Sequence, residues 1–275
     1  MKHWKLGLCM WGMPEKGIPA VKKAAELGFA GISMDVSLFD RPSRAAHAEA
    51  IRTYQEAAQA YGIAYPSMSV EILNEIGLTK QTGSAAWQTM RDYCLRGIET
   101  AAELGVDVLQ LPSFNDGAIR SEEAFTQTCE TLAMLCREAG KAGVRIASEN
   151  DLNLELSLRL LEEVAEDQFG ILFDTQNYYL NGIENTPELF RAIAPRVLQV
   201  HLKDGVNGTV SNALIGEGES GFYDTAEAVR DAWEGEWLLV ETYYDRPPFC
   251  GAENTDALMI RDRDTCRDVF GIRQS

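Results

Sequence analysis

Four apolar runs in the second half of the chain each end on a residue that can bind a metal ion or carry a proton. Val144-Arg-Ile-Ala-Ser-Glu149 closes on a carboxylate and Gly170-Ile-Leu-Phe-Asp174 on a second. Val197-Leu-Gln-Val-His201 closes on an imidazole, and Trp237-Leu-Leu-Val-Glu241 on a third carboxylate. Oxygen donors with one nitrogen donor and no thiolate suit Mn²⁺, Mg²⁺ or Co²⁺, with Zn²⁺ also compatible. A single acidic residue at a strand end is as often a cap for the following helix, but four in matching places argue for a shared site. Glu241 ends the buried run Leu238-Leu-Val240, so its carboxylate must find a partner or stay solvated. His201 is the one well-placed histidine of three, because His3 lies at the N-terminus and His47 on a predicted surface helix, and both are read as structural. That supply allows one or two divalent ions and excludes a histidine-rich cluster.

The elements that must position these residues repeat a single unit. The steps between the four are 25, 27 and 40 residues, each long enough for a strand, a helix and two loops. Strands are predicted at Leu6 to Trp11, Gly31 to Val36, Ile63 to Val70, Val106 to Leu111 and Val144 to Ser148, and at the later runs. Helices are predicted at Ile18 to Leu27, Ala45 to Tyr61, Ala85 to Leu104, Glu122 to Ala142, Leu154 to Ala165, Thr186 to Ala194, Phe222 to Trp233 and Asp256 to Phe270. The pentapeptide Ala24-Ala-Glu-Leu-Gly28 recurs as Ala101-Ala-Glu-Leu-Gly105, a helix end whose glycine accepts a left-handed turn. Eight strands and about eight helices, with no linker or low-complexity tract, predict an α/β fold: a (β/α)₈ TIM barrel in which residues 1–275 form one domain. Such barrels place their chemistry at the C-terminal rim of the strands, where the four candidates end. The rival, an open doubly wound sheet, lacks its G-x-G-x-x-G signature after the first strand.

Composition narrows the partners. A formal net charge of −17 and a pI near 4.6 oppose binding to a phosphate backbone, so no nucleic-acid partner is expected. The six cysteines form no C-x-x-C pair or dense framework and are read as reduced thiols. No apolar run approaches a membrane span, and the N-terminal apolar stretch is too short for a signal peptide. A soluble cytoplasmic protein is expected, with no membrane partner and with a homo-oligomer left open.

Glu149, Asp174-Thr-Gln-Asn177, His201-Leu-Lys-Asp204, Gly216-Glu-Gly218 with Phe222, and Val240-Glu241 together resemble the successive signatures of the xylose-isomerase-like TIM-barrel superfamily. Within it, the chain is most similar to the sugar and sugar-phosphate isomerases and epimerases, including the ketose 3-epimerases. The resemblance implies one divalent ion held by Glu149, Asp174, His201 and Glu241, with Glu149 and Glu241 also acting as acid and base on opposite faces of the sugar. Family members usually carry His three residues after the strand-6 Asp, where it touches substrate; here that place is Asn177. Glu155 falls where the ketose epimerases tend to carry another glutamate near the reacting end of the sugar, although an exposed charge in a first helical turn explains it equally.

Lys203 is a candidate to neutralise a sugar oxyanion or phosphate, while Asp204 could orient His201 or cap the next segment. Trp11, Met13, Phe114 and Tyr243 are placed to wall a pocket. Gly216-Glu-Gly218 reads as a flexible turn rather than a phosphate cradle. The expected function is a metal-dependent isomerase or epimerase of a ketose or sugar phosphate, working through an enediolate. The alternatives are a dehydratase of an inosose or dehydroshikimate-like substrate, an endonuclease IV-like repair enzyme, which would need more histidines, and a sugar-acid-binding barrel without turnover.

Overall fold

The structure, a computed structural model, describes residues 2–183 and 185–273. Eight strands hydrogen-bond in chain order and close into a barrel: β1 (Lys5–Cys9), β2 (Gly31–Asp35), β3 (Met68–Ser69), β4 (Val108–Pro112), β5 (Arg145–Glu149), β6 (Phe169–Asp174), β7 (Val197–Leu202) and β8 (Trp237–Val240). They run parallel, β1 pairing β8 with Lys5 opposite Trp237, and β4 pairing β5 with Val108 opposite Arg145. Between and after them stand α1 (Ile18–Glu26), α2 (Arg44–Tyr61), α3 (Ala85–Leu104), α4 (Glu122–Ala142), α5 (Leu154–Val164), α6 (Asn177–Leu180), α7 (Thr186–Ile193), α8 (Phe222–Ala232) and α9 (Thr255–Phe270). Parallel strands covered on both faces must be apolar nearly throughout, and every residue of β4 and β6 is buried. No helix among the described residues is long and apolar enough to cross a membrane.

Local signals set the helix ends. Ser84 Oγ accepts from Trp87 N and Ser121 Oγ from Ala124 N, each at 3.1 Å, satisfying amides that the first turn leaves unpaired. At the other end, both copies of Ala-Ala-Glu-Leu-Gly finish as predicted: Gly28 has φ +77° and Gly105 φ +75°. Two elements depart from the sequence expectation. The strand predicted over 63–70 contracts to Met68–Ser69, with a separate bridge from Gly31 to Ala64. Pro66 stands between the two pieces and has no N–H to give to a ladder. The short α6 was not predicted, because four residues carry no helical period.

The chain forms two compact units: Met1–Met34 with Glu56–Pro66 and Phe173–Ser275, and Asp35–Gln55 with Ser67–Leu172. In the first, Trp4 packs edge-on against Phe270, and Trp233 Nε1 donates to Val197 O at 2.9 Å. In the second, backbone meets backbone: a Cβ on Gly77 would stand 2.0 Å from Gly117 Cα. Gly77→Ala should therefore destabilise the protein by about 1–3 kcal/mol or more, read as a lowered melting temperature. An unchanged melting temperature would mean that the two turns separate without cost.

Candidate metal centre

The first unit supplies three of the four sequence candidates, each at a strand end. Asp174 is the last residue of β6; its Oδ1 accepts from Gln176 N at 2.8 Å and Asn177 N at 2.7 Å, capping α6. The capping explanation thus accounts for one oxygen only. The other, Oδ2, is buried without a hydrogen bond, although the Lys203 ammonium pairs with it at 3.2 Å. His201, fully buried in β7, places Nδ1 3.0 Å from Glu241 Oε2, while its Nε2 lies 3.7 Å from Cys9 Sγ. Glu241, immediately after β8, has both oxygens engaged. Trp11 Nε1 donates to Oε1 at 2.7 Å, and Lys203 Nζ to Oε2 at 2.9 Å.

Glu149 belongs to the second unit, where β5 ends opposite Pro112 and its carbonyl accepts from Ser113 N at 2.8 Å. Two residues later, Asp151 holds the Arg120 guanidinium through both oxygens, at 2.7 and 2.5 Å, which ties down the loop that follows Glu149. Glu149, Asp174, His201 and Glu241 are all buried, and each offers a ligand atom such that the four lie within 4.8 Å of one another.

Charge and donor chemistry fit a divalent cation. The group has three carboxylates, two of them paired with the Lys203 ammonium, so a doubly charged ion would bring the sum to zero, and the donor set of oxygens and one imidazole suits such an ion. Asp174 Oδ2, buried with the Lys203 ammonium near it but no hydrogen bond, is the atom such an ion would satisfy. Burial raises the Asp174 carboxyl above its usual range, more than Lys203 lowers it. Burial pushes Glu241 the same way, but Lys203 and His201, with hydrogen bonds from His201 and Trp11, outweigh it and hold this carboxyl well below the usual range.

Hydrogen bonds off the centre fix its parts. Thr175 Oγ1 donates to Lys203 O at 2.7 Å and accepts from Lys203 N at 2.9 Å, locking the β6 exit to the β7 exit. Gln176 accepts from Ser211 N, and Ser211 Oγ donates to Glu241 O at 2.6 Å while accepting from Tyr243 N. Ser211 adopts φ +52°, a conformation that costs a non-glycine residue and is held here by those three bonds. The turn carrying Trp11 is clamped by Lys16, whose ammonium donates to Trp11 O at 2.8 Å and Met13 O at 2.6 Å. Only glycine fits at position 12, since a Cβ there would stand 2.4 Å from Thr242 O.

The remaining candidates separate. Trp11 and Lys203 touch Glu241, and Tyr243 OH reaches its Oε1 at 3.4 Å. Asn177 is buried and gives its backbone N–H to Asp174. Glu155 is exposed in the first turn of α5, where its charge favours the helix N-terminus. Met13 is buried and Phe114 half-buried. Asp204 does not orient His201: its oxygens accept from Gly205 N, Gly218 N, and Ser220 N and Oγ. That carboxylate folds the Gly216-Glu-Gly218 turn against itself, and a Cβ on Gly218 would lie 2.2 Å from Asp204 Oδ1.

Sequence reasoning missed Asp262. Its Oδ1 accepts from Ile215 N at 2.8 Å, and its Oδ2 from Thr242 Oγ1 at 2.7 Å and Tyr244 OH at 2.6 Å, bolting α9 to the segment just past Glu241. In Arg261-Asp262-Arg263-Asp264 it reads as one more charge on a solvated face. Burial raises its carboxyl from 3.8 to about 6, against hydrogen bonds from Tyr244 and Thr242. A raised folded-state value favours the protonated form, so this contribution to stability is complete below pH 3.8 and declines as pH rises to about 6. Asp262→Asn should flatten the melting temperature's dependence on pH across that window; an unaltered slope would show that Asp262 does not titrate there.

The family model for the xylose isomerase-like TIM barrel matches residues 21–264. The 2-epi-5-epi-valiolone 7-phosphate 2-epimerase of Actinoplanes sp. is 33% identical over 233 residues, which is 82% of this chain and 82% of that protein. An L-ribulose 3-epimerase structure superposes with a TM-score of 0.80 at 14% identity, covering 98% of this chain and 95% of the other. The IOLI protein, solved with a zinc atom bound, gives a TM-score of 0.77 at 16% identity and covers 97% and 98%. At such identities the two structures speak for the fold, whereas the sequence matches carry kinship: the chain belongs to the xylose isomerase-like TIM-barrel family.

Proposed function

We propose that residues 1–275 form one barrel domain that acts as a divalent-metal-dependent epimerase or isomerase of a ketose or sugar phosphate. The observation that carries this reading is the buried group of Glu149, Asp174, His201 and Glu241, with ligand atoms within 4.8 Å of one another. The 33% identical relative is a 2-epimerase whose name specifies a 7-phosphate, which favours a phosphorylated substrate here. The zinc-bearing fold neighbour keeps zinc beside manganese, magnesium and cobalt as candidates.

In this reading Glu149, Asp174, His201 and Glu241 hold the ion. When bound, a divalent ion would supply Lewis-acid charge that stabilises negative charge developing on the substrate's oxygens. Glu149 and Glu241 move that proton, one on each face of the substrate, so removal on one side and return on the other inverts the centre. Trp11 orients Glu241 by donating to Oε1, and Lys203 offers positive charge where the substrate carries oxyanion or phosphate. Asn177 and Glu155 complete the proposed substrate contacts.

Three outcomes are expected from those roles. Turnover of a ketose or sugar phosphate in D₂O should place deuterium at the reacting carbon, and Glu149→Gln or Glu241→Gln should lower the rate roughly 10²-fold to 10⁴-fold. Full epimerase activity in either variant would remove that glutamate from the mechanism, and an unsaturated product with loss of water would identify a dehydratase. His201→Ala removes a neutral ligand from above the strand core, so metal affinity should fall while the far-ultraviolet circular dichroism spectrum is retained. An unchanged metal titration would make the imidazole structural.

A further inference from the structure

The candidate centre already contains a cation. Lys203 is only 2% exposed, and its ammonium stands 2.9 Å from Glu241 Oε2 and 3.2 Å from Asp174 Oδ2. Both carboxylates belong to the group whose ligand atoms lie within 4.8 Å. The Lys203 backbone is immobilised by its two hydrogen bonds to Thr175 Oγ1, whereas the four-carbon stem can carry its charged head elsewhere. An ammonium and a divalent ion drawn to the same oxygens repel each other, strongly so where water is excluded. Without any cation, the two buried carboxylates would face each other uncompensated, which buried charges do not tolerate.

We propose that Lys203 is a built-in counter-cation: it neutralises Asp174 and Glu241 in the metal-free protein and gives up both oxygens when a divalent ion binds, so that it sets the metal affinity of the site. The inference rests on the metal-centre reading above and adds to it a competition that no ligand residue would show. Lys203 is then a positioning residue for the ligand carboxylates before it is anything to the substrate. Its removal should weaken the metal-free fold and strengthen metal binding, whereas loss of a merely structural lysine would weaken both.

The test compares wild type with Lys203→Met, which keeps the length of the side chain without its charge. After dialysis against EDTA, the variant should melt at a lower temperature, and saturating Mn²⁺ should narrow the gap. Calorimetric titration should show Mn²⁺ binding the variant more tightly, by on the order of tenfold, as the ammonium's repulsion of the ion is removed. A second arm needs no variant: amine labelling of wild type read by mass spectrometry should modify Lys203 faster with Mn²⁺ bound than in EDTA. Equal or weaker Mn²⁺ affinity in Lys203→Met, or labelling of Lys203 that Mn²⁺ leaves unchanged, would overturn the proposal while the metal centre stands. If neither protein binds Mn²⁺ or Zn²⁺, the metal centre itself falls.

Discussion

Three carboxylates and one imidazole sit buried with ligand atoms no more than 4.8 Å apart, and the surrounding structure answers that electrostatic burden. Two unit charges at such a distance repel by about 3 kcal/mol even at the moderate effective dielectric suited to protein sites. A protein keeps such a group only if cations and directed donors offset the repulsion. Lys203 supplies positive charge to two of the carboxylates, the indole of Trp11 supplies a donor to Glu241, and the amides of Gln176 and Asn177 at the start of α6 supply two to Asp174. One oxygen, Asp174 Oδ2, is left with charge opposite it but no hydrogen bond.

Holding those groups in place falls to residues with no chemistry of their own. Thr175 ties the exits of β6 and β7 together, and Ser211 joins the Gln176 side chain to the backbone around Glu241. Lys16 and Gly12 bring the Trp11 turn against the segment after β8, where Asp262 holds Thr242 and Tyr244. Each bond joins a loop to a neighbouring loop or helix, so the positions of the charged side chains are set by the rim rather than by the strands alone. The buried, apolar strands below can tolerate this because they need no polar group to hold their pairing beyond the backbone ladder.

Much of this was legible in the chain itself, for identifiable reasons. Glu149, Asp174, His201 and Glu241 each end an apolar run, and a polar residue at that place announces itself against the buried strand before it. The glycines at 28 and 105 marked helix ends because a left-handed residue is needed there. The shortened β3 escaped because period and hydrophobicity say nothing of the N–H that Pro66 lacks. Asp204 was legible as important but not as what it does, since, Gly205 apart, its partners lie 14 and 16 residues away in a loop whose path depends on it. Asp262 and Ser211 were invisible: one looks like any charge on a polar helix face, and the other is a serine whose positive φ only the assembled loop reveals.

Anomalous diffraction from crystals grown with Mn²⁺ tests most directly whether the buried tetrad is a divalent-ion site. One anomalous peak should appear with atoms of Glu149, Asp174, His201 and Glu241 about 2.0 to 2.6 Å from it. A peak coordinated by other residues, or no peak at a concentration that saturates the protein in solution, would contradict it.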